Sequence, residues 1–315
     1  MNAMTQIEVR DQALLLEGID AKTFGSKPAC IGHNLHHRSL FDDTALADAL
    51  DCYPRDKLGV FTMGDDPQDW RSWRRGQAGD LTGKELLETV RTGRIWLNLR
   101  ASNHYLAEYE ALAGEMFGAL EASVPGLKTF KRDVGLLISS PRAQVFYHLD
   151  VTRVALWHLR GQKRVWLYPV AAPWVDAETL ERIVLKETAE QFDFRHELDE
   201  GAMMFDLEPG QMLTWPQNAP HRIVNGDSVN VSLSAEFLSP GALIRANAIW
   251  ADGFARRRLG LTPKLDSDWH PASLAKFAFA RMAKAAGLHA TPPEPLPPSF
   301  RVDPASDQGI GPLAR

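Results

Sequence analysis

Between residues 126 and 240 apolar and polar positions alternate in short bursts, whereas on either side the apolar positions recur every three or four residues. The bursts are GLLISS, QVFYHLDV, VALWHL, KRVWLYP, QMLTW and VNVSLSAEF, rich in β-branched and aromatic residues and divided by Gly, Pro, Asn or Asp. So many short strands predict a sandwich or barrel rather than one open sheet. Upstream, TGKELLETVRTG (82–93) predicts a short helix: Thr82 is placed to cap it, Glu85 follows three positions on, and Gly93 stands where it would stop. IWLNLR then reads as a strand, and Leu106, Tyr109, Ala113, Met116 and Leu120 mark one apolar face of a helix over about 103–122. Beyond SPG (239–241) the helical period returns, with Leu243, Ala246, Trp250 and Phe254 on one face and Leu274, Phe277, Ala278 and Met282 on another.

This pattern divides the chain into an N-terminal α/β segment (1–125), a β-barrel core (126–240), C-terminal helices (241–290) and a proline-rich tail (291–315). The two C-terminal helices are expected to pack on the barrel or on a second subunit, as in a homodimer. TPPEPLPPSF is too rich in proline for a packed element and is expected to be extended or clamped.

Composition narrows the class. With 44% hydrophobic and 24% charged residues, the 315-residue chain has the balance of an ordinary globular protein. Its net charge of −5 and scattered basic residues mark no nucleic-acid surface; RSWRR (71–75) and FARRRL (254–259) read as solvated faces. Two cysteines, Cys30 and Cys52, form neither a zinc knuckle nor a disulfide scaffold, so a reducing, cytoplasmic setting is expected. MNAMTQIEVRDQ lacks the apolar stretch of a signal peptide, and no run is long enough to span a bilayer.

The chemistry concentrates in FYHLDVTR (146–153). In a regular strand His148 and Asp150 point to one side, together with Phe146, while Tyr147 points away. A carboxylate and an imidazole on an inward face are costly unless a cation compensates them. A second histidine, His221, lies in EPGQMLTWPQNAPHRIVNG (208–226), after a turn, a short strand and two prolines that fix the approach of the chain. Two histidines and one carboxylate on one side of a cation match the facial set of non-haem iron(II) oxygenases. His33, His36 and His37 read instead as a polar loop cluster, and His158, His196, His270 and His289 lack a carboxylate at ligand spacing.

Three segments in order, over residues 134–237, resemble the JmjC and cupin-like iron(II)/2-oxoglutarate dioxygenases, above all the branch containing the asparaginyl hydroxylase of the hypoxia response. LLISSPRAQVFYHLD has the family's length from a leading strand to H-x-D. WHLRGQKRVWLYP places Lys163 fifteen residues after His148, where that branch keeps a lysine for the distal carboxylate of 2-oxoglutarate. PGQMLTWPQNAPH sets a glycine eleven residues, and a proline five, before the last ligand.

The resemblance implies a mainly β fold, a double-stranded β-helix or jelly roll of the cupin/JmjC kind, with helical additions. It implies Fe(II) held by His148, Asp150 and His221, 2-oxoglutarate as co-substrate, O2 as oxidant, and succinate and CO2 as products. The primary substrate is expected to be a protein side chain or a small molecule.

Lys163 shares its strand face with Val165 and Leu167. Between LR and VWLYP it could flank an exposed hairpin turn, as surface lysines do; on the apolar face it would require an anion, which the distal carboxylate of 2-oxoglutarate would supply. The family's threonine before the first ligand and asparagine after it are here Val145 and Val154, so the carboxylate needs other partners; Asn230, Ser232 and Ser234 on one face of the last strand are candidates, unless that face is a solvent-facing edge. Trp215 is a candidate for the pocket mouth, while Trp157 and Trp166 read as core. Arg153 and Arg222 flank ligands and are candidates for a substrate carboxylate, with surface positions as the alternative. The two valines keep open a metal-binding cupin enzyme that does not use 2-oxoglutarate; because a fold does not determine a function, a non-catalytic, ligand-sensing cupin-like protein is the other alternative.

Overall fold

The computed structural model describes residues 13–264, 267–288, 294 and 296–313. The leader reading of residues 1–12, His289, and Pro292, Pro293 and Pro295 of the tail fall outside them.

Before residue 126 the chain forms strands β1 (Leu16–Glu17), β2 (Ala29–His33), β3 (Gly59–Thr62), β4 (Arg74–Gln77) and β5 (Trp96–Leu99). Helices α1 (Asp43–Cys52), α2 (Gly83–Thr92) and α3 (Ala107–Ser123) intervene. Helix α2 starts with the anticipated capping box, in which the Thr82 hydroxyl accepts from Glu85 N and the Glu85 carboxylate accepts from Thr82 N. On α3 the side chains of Tyr109, Ala113, Met116 and Leu120 are buried, joined by Leu112 and Phe117.

Next come β6 (Phe130–Ser139), β7 (Gln144–His148), β8 (Arg153–Arg160) and β9 (Lys163–Leu167), then helix α4 (Ala177–Val184). After it follow β10 (Met203–Leu207), β11 (Gln211–Thr214), β12 (His221–Asn225) and β13 (Asn230–Leu238). Strands β8 and β9 are joined through Gly161, whose φ of +82° and whose approach to Val229 O leave no room for a Cβ. Helices α5 (Pro240–Leu259) and α6 (Pro271–Ala285) and strands β14 (Pro298–Val302) and β15 (Ile310–Gly311) complete the described chain.

Two sheets result. The larger runs β1-β2-β11-β8-β13-β6-β5-β3-β4-β14-β15 and the smaller β10-β9-β12-β7. Their central strands face each other as the double-stranded β-helix anticipated for residues 126–240. Flanking segments extend the same large sheet at both edges: β2 pairs with β11, and the tail strand β14 lies parallel to β4 with Phe300 and Val302 buried. The described stretch of the tail at Pro298–Val302 is therefore extended and clamped, and two large apolar side chains hold it.

Strand β13 shows how the sheet separates two environments. Val231, Leu233, Ala235 and Phe237 belong to the main core with Leu136, Ile138, Trp157 and the inner face of α3. The alternate residues Ser232, Ser234 and Glu236 take the opposite face, toward the smaller sheet. There Val154, Leu156, Val165, Leu167, Leu213, Trp215 and Ile223 form a separate barrel-interior core. Each such side chain fully buried contributes about 1.5–3 kcal/mol of transfer free energy.

Helices α4, α5 and α6 pack into a further cluster with Leu149, directly beneath the loop that carries Asp150. One expectation is corrected here. On α6 the stripe of Leu274 and Met282 faces outward, 40% and 66% exposed, while Ser273, Ala280 and Ala283 are buried. Small side chains allow α6 to approach α5 closely, where Lys276 and Lys284 reach Asp252 and Asn247.

Candidate active site

Strands β7 and β12 are antiparallel neighbours, and His148 and His221 are register partners. Their rings lie 4.0 Å apart. The Nδ1 atom of His148 is 2.7 Å from Phe146 O and that of His221 is 3.0 Å from Ala219 O. A carbonyl only accepts, so each Nδ1 carries the proton and each Nε2 presents a lone pair. Asp150 follows the end of β7, with Oδ2 3.4 Å from His221 Nε2. Ligand atoms of His148, Asp150 and His221 all lie within 4.8 Å of one another, the one such group among the described residues. Burial, and then the neighbouring His148, hold the His221 imidazole well below its usual range, so it is a neutral donor. Burial pushes the Asp150 carboxyl up despite His148 and Arg100. A carboxylate made costly by burial, beside two neutral imidazole donors, is the set that a divalent first-row metal compensates.

The strand reading needs one correction. Register shifts by one residue between His221 and Ile223, so β7 bulges at Phe146 and Tyr147. Phe146 therefore packs sideways with Met63 and Trp73 instead of sharing the ligand face. Tyr147 does point away, with its hydroxyl donating to Trp174 O. Beyond the bulge, the loop from Leu149 to Thr152 is held by side-chain amides: Asn218 donates to Asp150 O at 2.9 Å, and Gln217 to Val151 O at 2.7 Å. Trp215 is buried and packs its ring 4.6 Å from His221, forming a wall of the site rather than its mouth.

Deeper in the barrel, Lys163 is buried on the inner face of β9 with Val165 and Leu167. Desolvation brings its ammonium down to about 7. No acid pairs with it among the described residues. It lines a small cavity with Val145, Leu156 and Ile223, and with the polar side chains of Ser139, Gln144 and Asn225. Asn225 Nδ2 donates to Ser139 Oγ at 2.8 Å and to Ser140 O at 2.9 Å, joining the smaller sheet to the larger beside Lys163.

Asn230, Ser232 and Ser234 face the barrel interior from a central strand, not a solvent edge. Ser232 Oγ is 3.0 Å from His158 Nδ1, and Asn230 Nδ2 donates to Ser228 O; none of the three lines the cavity holding Lys163. His158, whose Nε2 is 2.9 Å from Gly161 O, is a fully bonded interior histidine. Trp157 lies in the main core. Arg222 is buried away from the site, bonded to Tyr168 and Asp199 and stacked 3.5 Å over Trp166.

Two acids that sequence reasoning did not single out flank Asp150. Leu149 N donates to Glu190 O, which brings the 190–192 segment alongside β7, and Glu236 reaches the site from β13 beside Thr152. Desolvation, and then the charge of Asp150, push the Glu190 carboxyl up to about 7 and that of Glu236 to about 6.

No protein-family profile and no curated protein matches the chain. Solved structures do. An X-ray structure of Escherichia coli YcfD, at 16% identity, superposes with a TM-score of 0.50 over 90% of this chain and 77% of that one. The fold is that of YcfD. A second YcfD structure, described as a ribosomal oxygenase in complex with cobalt and 2-oxoglutarate, has 17% identity and a TM-score of 0.43, over 82% of this chain and 63% of that one. A third, in complex with cobalt and succinic acid, has 17% identity and a TM-score of 0.42, over 82% and 62%. At such identity the likeness to YcfD establishes architecture, and the chemistry is argued from the side chains above.

Proposed function

We propose that the protein is an Fe(II)- and 2-oxoglutarate-dependent oxygenase that hydroxylates its substrate. The observation that carries this reading is the pairing of a convergent two-histidine, one-carboxylate set with a buried lysine, lacking an acid partner, in the same barrel. His148, Asp150 and His221 would hold the metal. The Nδ1 bonds of the two imidazoles to Phe146 O and Ala219 O fix their orientations before metal arrives, and Asn218 holds the backbone of Asp150.

When bound, Fe(II) and 2-oxoglutarate supply coupled chemistry: the co-substrate, O2 and a C–H substrate become succinate, CO2 and the hydroxylated product. The chain's own part is positioning and exclusion of water. Lys163 would grip the distal carboxylate. Ser139 is the candidate to replace the hydroxyl absent at Val145: its oxygen already accepts from Asn225, which leaves its O–H to donate to the carboxylate. Asn230, Ser232 and Ser234 would then form the polar wall behind that pocket. The lysine is what favours 2-oxoglutarate over a cupin reaction without it, since such a reaction gives a buried cation at this depth no counter-charge.

Glu190 and Glu236 beside the metal ligands support a substrate carrying a cationic group toward the metal. A protein side chain and a small molecule are the two substrate classes that fit such a site. Two free cysteines, Cys30 and Cys52, fit a reducing cytoplasm. No helix among the described residues is long and apolar enough to cross a membrane. The exposed Leu274, Phe279 and Met282 of α6 support a homodimer through that face, which light scattering of a Met282→Asp variant would test.

The test of function is succinate release from 2-oxoglutarate by the iron-loaded protein. Turnover abolished by Asp150→Ala is the expected result. Metal binding without 2-oxoglutarate binding would overturn the reading in favour of another cupin enzyme.

A further inference from the structure

Of the two arginines that flank metal ligands in the sequence, Arg222 is bonded through Nε and NH2 to Tyr168 and Asp199, whereas the Arg153 side chain has no hydrogen-bond partner at Nε among the described residues. Arg153 opens β8, three residues after Asp150. Its NH1 points at Gly25, where φ is +71° and a Cβ would come within 1.8 Å of it. Its Nε is buried with no hydrogen-bond partner among the described residues. Nearby stands a second half-buried guanidinium, Arg245 of α5. Its bonding consists of Nε donating to Asn218 Oδ1 at 3.1 Å and NH1 lying 4.0 Å from Asp268 Oδ1.

Burial presses both arginines toward their neutral form, Arg245 further so through the charge of Arg153, and Asp268 is the acid that offsets each of them. Two guanidiniums thus depend on one carboxylate, and the 4.0 Å from Arg245 NH1 to Asp268 Oδ1 is too long for a hydrogen bond. Guanidinium stays charged in proteins and presents five donors, so the cluster holds a surplus positive charge and a surplus of donors. A structural ion pair has neither.

We propose that Arg153 and Arg245 form a binding site for an oxoanion, a carboxylate or a phosphate group, on the rim of the metal centre. Asn218 ties the site to the chemistry: its Oδ1 accepts from Arg245 while its Nδ2 donates to the backbone oxygen of Asp150. An anion held here lies one amide away from the metal-ligand loop, and on a different set of residues from the acidic flank of Glu190 and Glu236. The cluster's partial counter-ion, Asp268, sits in the α5–α6 connection and competes with the incoming anion. The site does not depend on which co-substrate the metal uses.

The experiment titrates inorganic phosphate, and in parallel acetate, at matched ionic strength into the full-length metal-loaded protein, reading the melting temperature and 31P line width. Saturable stabilisation by one of them is expected, and the better anion identifies the preferred group. Arg153→Met and Arg245→Met should each abolish the response. Asp268→Asn should tighten binding roughly tenfold by removing a like charge at short range in a half-buried site. That gain is the outcome a structural salt-bridge role does not produce, and it is readable even if Arg153→Met fails to fold. No saturable response in the wild type, an undiminished response in the arginine variants (phosphate held by the metal), or weaker binding in Asp268→Asn would each overturn the proposal.

Discussion

Replacing Lys163 by methionine probes the proposed co-substrate pocket through two linked quantities, affinity and its pH dependence. The ammonium sits on the barrel's inner face with no acid beside it, and burial brings it down to about 7, whereas a lysine in the unfolded chain titrates near about 10.4. Between roughly pH 7 and pH 10 the unfolded chain therefore holds more protons at this residue than the folded one. Stability of the ligand-free protein should rise with pH across that window, by up to about 1.4 kcal/mol per unit. Below about pH 7 both states are protonated and the burial penalty is felt in full.

A bound carboxylate reverses the balance by restoring the ammonium. Binding of 2-oxoglutarate above pH 7 should take up close to one proton, and its affinity should fall by up to about tenfold per unit. At neutral pH the charge-assisted contact contributes about 1.5–3 kcal/mol, so Lys163→Met should weaken binding roughly 10- to 100-fold while metal affinity is kept. Anaerobic calorimetry on the Mn(II)-loaded protein from pH 6.5 to 9, in two buffers of different ionisation enthalpy, measures affinity and proton uptake together. A flat profile in the wild type, or the same profile in the variant, would refute the assignment of Lys163 to the distal carboxylate.

What could be read from the sequence was what the chain encodes locally. Thr82, Glu85 and Gly93 announce α2 because capping depends on residues three or four apart. His148 and Asp150 announce a candidate metal site because two polar groups in an apolar stretch need a cation, although Asp150 stands in the loop just after β7, and His221 follows from the prolines and turn that aim it. The bulge at Phe146 and Tyr147 was not legible: it arises from pairing with β12, more than seventy residues away, and alternation within β7 gives no sign of it.

Ser139 and Asn225 were missed for a related reason. Each sits at the end of an ordinary strand, and only closure of the two sheets brings them together beside Lys163. The same holds for Glu190 and Glu236, which reach the site from a loop and from a strand whose inward face the sequence could not assign. On α6 periodicity revealed an apolar face but not which face is covered. Alanines and a serine allowed close helix packing, and the larger side chains were left outside.

Other perturbations separate structural from chemical residues. Thr82→Ala should lower stability by about 1 kcal/mol through loss of the helix cap, seen in urea unfolding with activity retained. Ser139→Ala should weaken 2-oxoglutarate several-fold, less than Lys163→Met, with the pH profile of Lys163 preserved. Arg222→Met, which leaves the half-buried Asp199 without its cation, should cost about 3 kcal/mol of stability while the affinity for 2-oxoglutarate is unchanged. Asp150→Ala should do the opposite. His221 is neutral, so its 3.4 Å contact with Asp150 is not an ion pair in the metal-free protein, and the carboxylate is there held against its own desolvation. Removing it should leave the metal-free melting temperature equal or higher, and abolish tight Fe(II) binding, because the facial set loses the one ligand that offsets the metal's charge. Melting the metal-free wild type and variant side by side, with iron titrated into each, reads both effects at once. A variant that melts lower yet still binds iron would mean that Asp150 is a structural partner of His148 and His221, and that the metal centre lies elsewhere.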